Sequence, residues 1–161
     1  PGSGVADDKA VYAFVPKMIE FFLNEKPIIS QVKTYVCAFK KDCKFVLNNI
    51  EKLVIKPVNE SGGYGILIGP KASKNDIKKY QQKIRNNPRN FVAQPLIKLS
   101  TSPTLIGNKM EPRHLDLRPF ILSGKKTFVT SGGLTRVAMK KNSTIVNSSQ
   151  GGGSKDTWII H

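Results

Sequence analysis

With 161 residues, 39% hydrophobic and 23% charged, the chain is neither disordered nor fibrous and can form one ordinary domain or two small lobes. Its 26 Lys and Arg against 11 Asp and Glu give a net charge of +15, which raises nucleic acid or another anionic partner. The lysines are scattered, in runs no longer than two, without aromatic–basic interleaving, so nucleic acid is not the preferred partner. No apolar run approaches the ~20 residues that cross a bilayer, and no membrane partner is expected. The chain opens Pro1-Gly2-Ser3-Gly4-Val5-Ala6-Asp7-Asp8-Lys9, with neither a start methionine nor a signal peptide, which implies a segment trimmed from a longer protein. Cys37 and Cys43 have five residues between them and no second pair, so a zinc motif is not expected. Two ordinary thiols and no export signal favour the cytosol.

In chain order, Asp7 or Asp8 can cap a first helix carrying Val11, Phe14, Val15, Met18 and Phe22 as one apolar stripe, read as core. Pro16 kinks that helix or restarts it, and Lys26-Pro27 ends it. A short strand from Thr34 to Phe39 is followed by a helical pattern from Lys40 to Asn49. Ser73 caps a clearer helix, with Asp76 three residues on and Ile77, Tyr80 and Ile84 along one face, until Asn86-Asn87-Pro88. Strands are expected from Phe91 to Leu99, broken at Gln94-Pro95, and from Pro103 to Ile106, before a Gly107-Asn108 turn. His114 to Leu122, a Ser123-Gly124-Lys125 turn and Lys126 to Thr130 form a hairpin. Leu134 to Met139 and Thr157 to Ile160 are read as further strands. The fold class is α+β with mostly antiparallel pairing.

The informative stretch runs from Leu53 to Gly69. Leu53-Val54-Ile55-Lys56-Pro57-Val58 reads as a buried strand, and Ile66-Leu67-Ile68 as its partner. Alternation puts Lys56 on one face with Val54 and Val58, where a charged amine is costly unless it meets an anion. Gly62, Gly63 and Gly65 allow positive φ and a close approach of backbone N–H groups to phosphate. The stretch thus reads either as a nucleotide-phosphate clamp or as an ordinary hairpin whose lysine reaches out to solvent. In His114-Leu115-Asp116-Leu117-Arg118 the three polar residues share a face. Asp116 and Arg118 can simply pair, or Arg118 can hold phosphate while Asp116 orients it. His114 is either a base or a satisfied histidine. Arg136 sits in another strand-like run, and Asn147-Ser148-Ser149 before three glycines makes a second polar loop. None of these is a nucleophile with a base, so the set points to binding ATP rather than to a hydrolytic triad.

This ordered set resembles the ATP-grasp superfamily, and within it the circularly permuted branch of glutathionylspermidine-synthetase-like ligases. Lys56 and the Glu60-Ser61-Gly62-Gly63-Tyr64-Gly65 loop look like its nucleotide lysine and phosphate loop, and Gln94, Pro95 and Leu96 like its adenine hinge. Asp116-Leu117-Arg118-Pro119-Phe120 is similar to its Asp-Leu-Arg strand, and Gly133 to Arg136, Asn147 and Gly151-Gly152 to its late arginine and asparagine. The opening Gly2 to Lys9 also fits the permuted branch. The resemblance implies a partial ATP-grasp fold: a helical linking segment (1–50), a nucleotide lobe (51–100) and a second lobe with the arginine strands (101–161).

It further implies a carboxylate–amine ligase using ATP and Mg2+ through an acyl phosphate. Lys56 and the loop would hold the phosphates, Gln94, Pro95 and Leu96 would meet adenine, and Arg118 and Arg136 would neutralise the transferring phosphoryl group. Asn147 would contact metal or phosphate. The sequence departs from the family pattern in offering only Asp156 after Asn147. The main metal carboxylates are therefore expected upstream of Pro1, and this chain alone is expected to be inactive. Its partners would be ATP, a carboxylate, an amine and the remainder of the parent chain. The competing reading is a basic non-catalytic module for nucleic acid or an acidic partner, with affinity that collapses as salt rises. A third is a scaffold with a vestigial ATP site.

Overall fold

A computed structural model of the protein describes residues 4, 5, 7–147 and 151–158, and the chain divides into two compact units, Pro1–Ile97 and Lys98–His161. The first unit is built on a four-stranded antiparallel sheet in the order β1-β4-β2-β3. Its strands are β1 (Tyr35–Val36), β2 (Leu53–Pro57), β3 (Leu67–Ile68) and β4 (Phe91–Pro95). The central pair β2 and β4 is covered on both faces, which is why both strands read as continuous apolar runs. On one face Leu53, Ile55, Phe91 and Ala93 pack with Val46 of α3 (Lys40–Asn49) and with Ile77 and Ile84 of α4 (Lys74–Asn86). On the other, Val36, Val58 and Val92 pack with Ala10 of α1 (Lys9–Tyr12) and with Ala13. Lys56 is the cross-strand partner of Val92 and shares this second face.

The helix ends follow local chemistry. Asp8 caps α1 by accepting from the Ala10 N–H at 2.7 Å, and Ser73 Oγ caps α4 by accepting from the Asp76 N–H at 3.1 Å. Pro16 restarts the chain as α2 (Val15–Leu23), with proline in its first turn. That helix ends earlier than Lys26-Pro27, because Asn24 takes a left-handed conformation at φ 54°. The apolar stripe read as core is not core. Neither α1 nor α2 buries a residue, and Phe14, Met18 and Phe22 are exposed, Phe22 at 74%. Periodicity reports that a helix has an apolar face and carries no information on what lies against it.

The second unit is a meander in the order β5-β6-β7-β8, with β5 (Thr101–Ile106), β6 (Lys109–Ser123), β7 (Thr127–Val137) and β8 (Gly153–Lys155). Several boundaries differ from the sequence reading. Strand β4 stops at Pro95 instead of Leu99, since proline gives the ladder no N–H. The segment read as Thr34 to Phe39 is extended only at Tyr35–Val36, after which the chain turns into α3. The two strands expected at Lys126 to Thr130 and Leu134 to Met139 are one, β7, running through Ser131-Gly132-Gly133 opposite β6. The register slips between Pro119 and Ile121, where β7 bulges, Thr130, Ser131 and Gly132 standing against the single residue Phe120 of β6. The final strand is Gly153–Lys155 rather than Thr157 to Ile160, of which Ile159 and Ile160 lie outside the described residues. Among the described residues, no helix is long and apolar enough to cross a membrane.

Candidate functional site

Lys56 begins a side-chain relay that runs through Gln94 on β4 to Thr34, just before β1. Its Nζ donates to Gln94 Oε1 at 2.7 Å, and Gln94 Nε2 donates to Thr34 Oγ1 at 2.8 Å. The register explains the alignment. Val54 faces Gln94 and Lys56 faces Val92, so Lys56 is diagonal to Gln94, while Tyr35 faces Ala93 and brings Thr34 to the far side of Gln94. Burial, and then the ammonium of Lys9, hold the Lys56 pKa below the usual lysine value. Among the described residues no carboxylate pairs with it.

The chain leaves β2 at Pro57 and returns at Leu67 through the glycine-rich loop. Gly62, Gly63 and Gly65 have φ of 66°, 83° and 64°, the left-handed region that the sequence reading assigned to them. Gly65 also packs on the strand, since an added Cβ would stand 2.8 Å from Pro57 Cγ. Glu60, Ser61, Gly62, Gly63 and Tyr64 line one concave pocket with Lys9. Lys9 Nζ donates to the Glu60 carbonyl oxygen, so α1 delivers a second ammonium to the loop. Asp7 lines the same pocket. Pro95 is half-buried and Leu96 exposed.

In the second unit, Asp116 and Arg136 are cross-strand partners on β6 and β7 and therefore share a face with Arg118. Arg118 Nη2 pairs with Asp116 Oδ2 at 3.0 Å, the plainer of the two arrangements its spacing allows. Arg136 Nη1 donates to Asn147 Oδ1 at 2.8 Å. His114 Nδ1 lies 2.9 Å from the Leu99 carbonyl oxygen, a satisfied histidine held to the backbone. Asp116, Arg118, Arg136 and Asn147 thus share one neighbourhood of this sheet, while Ser148 and Ser149 lie outside the described residues.

Sequence reasoning missed Thr34 and Lys9. Thr34 is 60 residues from Gln94, and no local pattern announces that pairing. Lys9 had a signal in the opening Asp7-Asp8-Lys9, where a helix start places a charge. Among the described residues, no group of three or more His, Cys, Asp or Glu side chains could hold a metal ion. Cys37 and Cys43 are free thiols.

Two antiparallel sheets flanked by helices make this an α+β protein with part of an ATP-grasp fold. The chain belongs to the circularly permuted ATP-grasp type 2 family, whose model matches residues 1–138. It is 54% identical over 161 residues to the uncharacterized protein sll0335 of Synechocystis sp., covering 99% of this chain and 34% of that protein. Similarity to the uncharacterized protein Rv2411c of Mycobacterium tuberculosis is 52% identity over 160 residues, 99% of this chain and 29% of that one. A protein of Frankia casuarinae named "Putative glutamate--cysteine ligase 2-2" is 48% identical over 158 residues, 98% of this chain and 18% of that protein. The chain spans about a third or less of the length of these relatives.

Proposed function

We propose that the chain is the ATP-binding part of an ATP-dependent carboxylate–amine ligase that works through an acyl phosphate. The observation that carries this reading is Lys56, a half-buried ammonium on the strand that leads into a loop of left-handed glycines, with a second ammonium, Lys9, bound to that loop and close enough to lower the Lys56 pKa. Burial and then the nearby Lys9 charge disfavour the charged form of Lys56, and an anionic ligand reverses that penalty. A loop with three left-handed glycines can turn backbone N–H groups toward such a ligand. Lys56, Lys9 and the loop 60–65 would hold the ATP phosphates.

Both ends of the Gln94 side chain are engaged, by Lys56 and Thr34, so adenine would be met by the backbone of Gln94, Pro95 and Leu96. Arg118 and Arg136 would stabilise charge on the transferring phosphoryl group, with Asp116 and Asn147 orienting the two guanidinium groups. When bound, ATP would supply the phosphoryl group that activates a carboxylate for attack by an amine. The segment 51–100 would serve as the nucleotide lobe and 101–161 as the second lobe, both joined to the remainder of the parent chain. The carboxylates for Mg2+ would come from the remainder of the parent chain, and the chain alone is expected not to turn over. Glutamate–cysteine ligation, the activity in the Frankia protein's name, is one candidate reaction for the parent.

Thermal unfolding with and without saturating ATP and Mg2+ at about 0.3 M salt tests the reading. Ligand at ~100 times its dissociation constant stabilises by about 2.7 kcal/mol, a shift of roughly 5–10 °C for a chain of this size. The shift is expected in the wild type and absent in Lys56→Ala. The net charge of +15 favours the alternative, a basic module for nucleic acid or an acidic partner. That alternative predicts no ATP shift and a nucleic-acid affinity that falls steeply between low and moderate salt.

A further inference from the structure

The Gln94 amide has a direction, and the residue that sets it is Thr34. Thr34 Oγ1 donates to the Val32 carbonyl oxygen at 3.0 Å. A hydroxyl has a single proton, so toward Gln94 it can only accept. Gln94 must then present its amino group to Thr34, at 2.8 Å, and its carbonyl oxygen to Lys56, at 2.7 Å. The opposite flip would set an N–H donor against the Lys56 ammonium and leave the Thr34 oxygen facing another acceptor. We propose that Thr34 is a positioning residue of the nucleotide site, anchoring Gln94 so that a carbonyl oxygen holds the Lys56 ammonium in place. The proposal rests on the reading of Lys56 as the phosphate-binding lysine.

The geometry makes this more than a surface contact. Thr34, Gln94 and Lys56 are all part-buried, and they come from three neighbouring strands or strand ends of one sheet. A half-buried amide that loses an acceptor turns to find another. Removing the Thr34 hydroxyl would leave the Gln94 amino group against a methyl group, and the side chain would rotate away from Lys56. The charged group facing Lys56 from the packed helix is Lys9 on α1. With the Gln94 oxygen gone, Lys56 would keep that repulsion and lose its acceptor, so its pKa would fall further.

The test uses the full 161-residue chain, with Thr34→Val, Thr34→Ser, Gln94→Glu and the double variant Thr34→Val with Gln94→Glu. The Lys56 pKa is read by 13C NMR of the lysine side chains, and ATP affinity by calorimetry. Thr34→Val is expected to lower the Lys56 pKa and weaken ATP binding roughly tenfold, the effect of losing a hydrogen bond to a charged group. Thr34→Ser is expected to restore both. In the Gln94→Glu background, Thr34→Val is expected to leave the Lys56 pKa unchanged, because a carboxylate presents oxygen whichever way it turns. Thr34→Ala replaces Thr34→Val should the latter fail to fold. An unchanged Lys56 pKa in Thr34→Val, or a Thr34→Ser variant as impaired as the valine, would overturn the proposal. If the wild type binds no ATP, the nucleotide reading fails, while the pKa pattern still decides whether Thr34 controls Lys56.

Discussion

Cys37 is 1% exposed, in the core beneath β1 and α3. Burial first, then the neighbouring Cys43 and Asp42, push its thiol up to about 12 from an ordinary 9.0. The folded-state value lies above the unfolded one, so the stabilisation is fully present below pH 9 and is lost as pH rises toward 12, where the unfolded thiol ionises first. Lys56 acts in the opposite sense. Its folded-state pKa is depressed below 10.5, so its contribution improves as pH rises through that window. Comparing wild type with Cys37→Ala separates the two. The urea midpoint of the wild type should fall more steeply than that of the variant between pH 9 and 11. Iodoacetamide at pH 8 should label the half-buried Cys43 and spare Cys37. Equal labelling of both thiols would contradict the burial. At this scale, Lys56 was legible because one charge interrupts an apolar run. Thr34 was not, because its meaning comes from a partner on a strand that pairs only after folding.

Among the elements, α4 was readable almost residue by residue. Its cap, Ser73, and its buried face, Ile77 and Ile84, are local features. Strand β7 was not, because Ser131-Gly132-Gly133 resembles a turn until the long β6 ladder holds it extended. The turn after β3 carries a constraint of another kind. A Cβ on Gly69 would stand 1.9 Å from the Ile50 carbonyl oxygen and 2.7 Å from that of Leu53. Both obstacles are backbone, at the 3-10 turn that leads from α3 into β2, and neither can rotate away. Gly69→Ala is therefore expected to cost about 3 kcal/mol or more in urea unfolding. Ser73→Ala, which removes only the cap of α4, is expected to cost about 1 kcal/mol. A Gly69→Ala protein as stable as the cap variant would show that the turn relaxes at little cost.

Across the whole molecule, burial is uneven, and that unevenness has a measurable consequence. In the first unit, two apolar clusters cover the β2–β4 pair from both faces, with Ile55 and Ala93 fully buried. In the second, the far half of the β6–β7 hairpin leaves Phe120, Ile121, Leu122, Phe128 and Val129 exposed. The antiparallel class was legible from turn residues and short apolar runs. The sheet order was not, since β1 and β4 meet across more than fifty residues of chain and only packing selects that pairing. Ile55, Val92 and Ala93 have partner strands on both sides, whereas the far half of the β6–β7 hairpin is a two-stranded ribbon beyond a bulge, so ladder bonding and burial act in the same direction. Protection against amide exchange follows the free energy of opening, which burial raises. The amides of Ile55, Val92 and Ala93 should exchange slowest, through opening of the whole first unit. Those of Ile121, Leu122, Phe128 and Val129 should exchange orders of magnitude faster despite their ladder partners. Hydrogen exchange read residue by residue by NMR decides it. Uniform protection across β2, β4, β6 and β7 would mean that the hairpin is covered in solution by a surface absent from the isolated chain's own core, such as a second copy, and dilution would then restore its exchange.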